Sequence, residues 1–90
     1  MNLMDPNPFD PANSIRRNRV AHMGSDRLVM RSRNFSVRNS SGGRMGFAMR
    51  AAELEAIHVE LIRRHGPAVL QLVPADNIHS LPRLLELAAA

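Results

Sequence analysis

Ninety residues suffice for one small domain and are too few for a two-domain enzyme. With no cysteine, a disulfide framework and a thiolate-bound zinc site are excluded, and apolar runs of three or four residues are too short for a membrane-spanning helix or a secretory leader. All twelve basic residues are arginine, with no lysine, against eight acids, for a net charge of +4.

That charge is unevenly spread. Residues 1–50 carry nine arginines against Asp5, Asp10 and Asp26, whereas residues 51–90 carry three against Glu53, Glu55, Glu60, Asp76 and Glu86. A basic half joined to a mildly acidic half points to an acidic partner or to head-to-tail self-association. A GC-rich coding sequence would also favour arginine over lysine. Either way the guanidinium is planar, permanently charged and suited to bidentate contact with phosphate or carboxylate.

In chain order, Pro6, Pro8 and Pro11 break any regular element near the start, so residues 1–26 are expected to form an extended Pro- and Arg-containing arm. Asn7-Pro8-Phe9 resembles the NPF tripeptide bound by EH domains, although Pro-Asn-Pro-Phe-Asp-Pro is equally a chain of turns. Phe9 is the arm's candidate anchor on a neighbouring protein. Within the arm, Ser14 is positioned to cap a short helix through Ala21, with Gly24 as its stop.

Residues 27–90 are expected to form a small α+β body of order ββαβα. Leu28-Val29-Met30 and Phe35-Ser36-Val37 read as one strand limb, Ser40-Ser41-Gly42-Gly43 as the turn, and Met45, Phe47 and Met49 as one face of the return limb. The outgoing limb alternates poorly, and needs a bulge near Ser32–Asn34. A helix starting at Arg44 is the rival reading, against which Gly46 costs about 1 kcal/mol.

Residues 50–65 read as a helix closed by Gly66-Pro67. Its apolar positions make two stripes, Leu54, Ile57 and Leu61 on one side and Ala48, Ala52, Ala56, Val59 and Ile62 on the other, separated by Glu53, Glu60 and Arg64. Such a helix is central in its own domain or shared with a partner. Ala68–Val73 follows as a short buried strand, Pro74–Asn77 as a turn, and Ser80 as the cap of a terminal helix that admits Pro82 in its first turn. A core this small, with six methionines and three phenylalanines, favours assembly into an oligomer or a larger complex.

Catalytic patterns are sparse. There is no threonine, none of the seven serines sits in a nucleophile elbow, and Gly42-Gly43 lacks the lysine of a phosphate-binding loop. His58 and His65, two helical turns apart, lack a third metal ligand at a recognised spacing. The helix carboxylates Glu53, Glu55 and Glu60 read most simply as a solvated face. No catalytic residue, metal, cofactor or small-molecule substrate is therefore expected.

The stronger signal is the string Arg16, Arg17, Arg19, Arg27, Arg31, Arg33, Arg38 and Arg44, interleaved with Asn and Ser, which loosely resembles arginine-rich RNA-binding arms. These eight are the candidate contacts to nucleic acid, RNA or DNA, or to an acidic protein. Phe9, Leu54, Ile57 and Leu61 are the candidate protein-docking residues. The expected function is that of a non-catalytic assembly subunit of a virion or nucleoprotein-type complex, acting in the cytoplasm without membrane contact. The alternative is a free nucleic-acid-binding regulator or an inhibitor of a nucleic-acid enzyme.

Overall fold

Buried residues fall three or four apart within segments, Leu28 and Ser32, then Leu54, Ile57 and Leu61, then Leu70, Val73 and Asn77, a helical period, and helical turns are what they build. The structure, a computed structural model, describes residues 11–35, 43–78 and 80–90. It contains α1 (Pro11–Ala21), α2 (Ser25–Asn34), α3 (Gly43–His65), two 3₁₀ turns (Pro67–Leu72 and Ala75–Asn77) and α4 (Leu81–Ala89). There is no strand among the described residues, so the expected α+β class and its ββαβα order are incorrect. No described helix is long and apolar enough to cross a membrane.

Part of the expected arm is helical. Pro11 occupies the start of α1, where its missing N–H removes no intrahelical bond, and Val20 buries the helix against the core. The helix ends at Ala21, as the sequence suggests, but begins before the expected cap, so that Ser14 lies inside it; His22 Nδ1 donates to the Asn18 carbonyl at 2.7 Å. Residues 1–10, including Phe9 and the NPF tripeptide, lie outside the described residues.

The first expected strand is instead the middle of α2. Leu28 and Ser32, both fully buried, are four apart, and half-buried Phe35 follows three later, which is a helical stripe with a hydroxyl in it. Asp26 in its first turn and Arg31 and Arg33 in its last suit the helix dipole. The hairpin turn at Ser40–Gly42 lies outside the described residues. The return limb is helix, because α3 runs unbroken for 23 residues from Gly43 and absorbs the cost of Gly46.

α3 stops where expected. Gly66 takes φ +84, and its N–H bonds the Ile62 carbonyl at 2.7 Å. The third expected strand, Ala68–Val73, is instead a 3₁₀ turn, in which Leu70 and the C-cap Val73 face inward three apart and so on one side. Ser80 stands at the N-cap of α4, although its side chain makes no capping bond.

α1, α2, α4 and the first 3₁₀ turn all pack on α3. The helix with two apolar stripes is thus the centre of its own domain. Leu54, Ile57 and Leu61 are fully buried, and Ile62 nearly so. Arg64 fixes the entry of two neighbouring helices. It donates to the Val20 and Ala21 carbonyls at the end of α1 at 3.2 and 3.1 Å, to Ser25 Oγ at 3.2 Å, and to Glu60 at 3.3 Å.

Candidate functional site

Three of the arginines singled out by sequence converge on one carboxylate. Glu53 lies on the inward side of α3 and is 5% exposed, against the expectation of a solvated face. Arg16 Nε is 3.4 Å and Arg31 Nε 3.1 Å from its oxygens, and Arg19 completes the set as a second donor to Oε2. One buried acid stabilised by three guanidiniums leaves a local surplus of positive charge, which is cheaper to hold because Arg19 and Arg31 keep much of their side chains in solvent.

Beyond Arg31 the surplus opens into a cleft of about 360 Å³, lined by Met23, Arg27, Met30, Arg31, Asn34, Phe35 and Arg50. α2 supplies most of it, and Arg50 enters from α3. The Phe35 ring is the mounting surface: the Arg31 guanidinium lies 4.7 Å from its centroid and that of Arg50 lies 5.6 Å away. Ring and carboxylate together hold the Arg31 guanidinium in place. Phe35 is held in turn by Asn77, which is buried and donates to the Ser32 and Phe35 carbonyls at 2.8 and 3.1 Å. Arg27 is exposed, and makes no ion pair with a described residue.

The remaining sequence candidates are dispersed. Arg33 donates to the Leu72 carbonyl at 2.9 Å and so ties α2 to the first 3₁₀ turn. Arg17 lines a separate groove of about 160 Å³ between α1, α3 and α4, whose floor is Ala52, Ala56 and Val59 of the second stripe. Arg44 lies in the first turn of α3 with its side chain outside the described residues, as is all of Arg38. Leu54, Ile57 and Leu61 are consumed by the core.

Two serine–histidine pairs also appear. Ser32 Oγ is 2.8 Å from His58 Nε2, but these side chains are 0% and 1% exposed, which denies a substrate access. Ser25 Oγ is 2.7 Å from His65 Nε2 at the surface, where Arg64 rather than a carboxylate adjoins the serine. No group of three metal-ligating side chains occurs among the described residues.

Arg50, Phe35, Met23, Met30, Asn34 and Glu53 were not among the sequence candidates. Arg50 sits six residues past the end of the arginine string, at the position read as the first of a helix. Its pairing with Phe35 becomes visible only once α2 and α3 are set side by side. No family model, no curated protein and no solved structure matches the chain.

Proposed function

We propose that this chain is a non-catalytic nucleic-acid-binding domain, acting in the cytoplasm. The observation that carries the reading is the cleft in which Arg27 joins Arg31 and Arg50 beside Phe35, with no acidic residue among the described lining residues. Guanidiniums held by a ring and a carboxylate are pre-organised, so little side-chain entropy is lost when they meet phosphate. Exposed Arg19, on the neighbouring helix, extends the same positive face.

The apolar stripe that favoured an assembly subunit is already covered by the chain's own helices, which leaves the charge as the more informative feature. A salt titration of binding to a short oligonucleotide tests the reading. Affinity should fall steeply between 50 and 200 mM salt, in the manner of counterion release at several phosphates. An affinity indifferent to salt, or none at 50 mM, would remove it.

A further inference from the structure

The lining of this cleft carries more chemical detail than phosphate neutralisation requires. An ion-pairing patch needs only cations. Here two guanidiniums lie over one aromatic ring, two thioethers from Met23 and Met30 add soft apolar surface, and Asn34 supplies an exposed carboxamide with both donors and an acceptor. Flat cations on an aromatic support stack against flat ligands, and a carboxamide reads the edge of a base. These groups line a shallow, open depression between the two helices. A planar ligand can therefore enter, whereas the intact groove of a duplex would require side chains that project into it.

Resting on the nucleic-acid reading above, we propose that the cleft between α2 and α3 receives one unpaired nucleotide. Its base stacks on the outward face of the Arg31–Arg50 pair, and its phosphate meets Arg27. Arg31 is the rigid member, because Glu53 holds its Nε edge at 3.1 Å while its guanidinium rests over the Phe35 ring. Arg50 has no carboxylate partner among the described residues, and is the member that adjusts to the ligand. The same chemistry is offered by a free mononucleotide and by a base splayed from a single strand.

The test compares a ten-residue adenine strand with its abasic counterpart of equal phosphate count, using the full chain and the Arg50→Lys variant. Lysine keeps the charge and loses the plane. The base-bearing strand should bind on the order of tenfold tighter than the abasic one, the range that stacking of one base supplies. Arg50→Lys should close that gap while leaving abasic affinity unchanged. Equal affinity of the two strands for the parent chain would overturn the inference and leave the proposed function standing. Failure of both strands to bind at 50 mM salt would overturn the function as well. Adenosine monophosphate titrated by calorimetry separates the sources. Saturable binding abolished by Arg50→Lys supports the site with a free nucleotide as ligand, and binding of the strand alone supports it with the strand as ligand.

Discussion

Ser32 and His58 meet at 2.8 Å inside the core, and seven residues away on each helix Ser25 and His65 meet at 2.7 Å on the surface. α2 and α3 thus run antiparallel, in one register pinned at both ends by the same pair of residue types. The two pairs differ sharply in burial, which sets what each contributes.

Replacing His58 by Ala removes a fully buried ring and strands the Ser32 hydroxyl. The expected loss is about 3 kcal/mol, combining cavity and unsatisfied-donor costs. Ser25→Ala, at the exposed end, should cost about 0.5 kcal/mol or less. Urea denaturation followed by circular dichroism reads both, and similar losses at the two ends would refute the ranking.

Glu53→Gln leaves Arg16, Arg19 and Arg31 gathered around a neutral amide. Stability should fall by about 3 kcal/mol, the low end for breaking a buried ion pair, because two of the arginines can turn to solvent. Adding Arg31→Gln to this variant should recover part of the loss. A double-mutant cycle with no coupling between these positions would show that the carboxylate is held for another reason.

Arg27→Ala combined with Arg50→Ala should lower the thermal midpoint by only a few degrees, since neither makes an ion pair with a described residue and only the Arg50–Phe35 contact is lost. The log–log salt slope for a single strand should flatten by about 0.7, the one phosphate contact that Arg27 makes, because Arg50 meets the base. An unchanged slope would place the phosphates elsewhere on the molecule.

Two glycines behave oppositely. Gly66 holds φ +84, and nothing lies within 4 Å of where a Cβ would stand, so Gly66→Ala should cost about 1–2 kcal/mol from backbone strain alone. Gly24 is the N-cap of α2 at φ −66, with open space around it and no side-chain cap. Gly24→Ser should add about 0.5 kcal/mol by supplying one. Thermal melts of both variants decide the matter.

The sequence revealed what apolar residues alone determine: the helix through Leu54, Ile57 and Leu61, its end at Gly66, and the terminal helix around Leu84. It misled about the element at Ser32 and about exposure at Glu53, where a polar residue faces inward, and at Ala68–Val73, where a short apolar run fits a strand and a 3₁₀ turn alike. Ser32, His58 and Glu53 are buried or nearly so, and each breaks the apolar period that identifies a helix face. With Ser32 counted as polar, α2 shows only Leu28-Val29-Met30, which reads as a strand. Its failure to alternate was the visible sign that period two was wrong. For the site, the arginine string pointed to the positive face but not to its geometry. Composition does not separate an arginine that caps a carbonyl, as Arg33 and Arg64 do, from one that lines a cleft, as Arg27 does.

The framework around Glu53 and Arg64 bears on the choice of denaturant. The groups that join the helices are guanidiniums bound to carboxylates and carbonyls, and guanidinium chloride is a soluble copy of the same group. It should compete for these acceptors directly while its chloride salt screens the ion pairs, two effects that urea lacks. Guanidinium is ordinarily about twice as potent as urea per mole. For this chain the ratio of unfolding midpoints should be larger, and the excess should shrink in Glu53→Gln, where the principal acceptor has been neutralised.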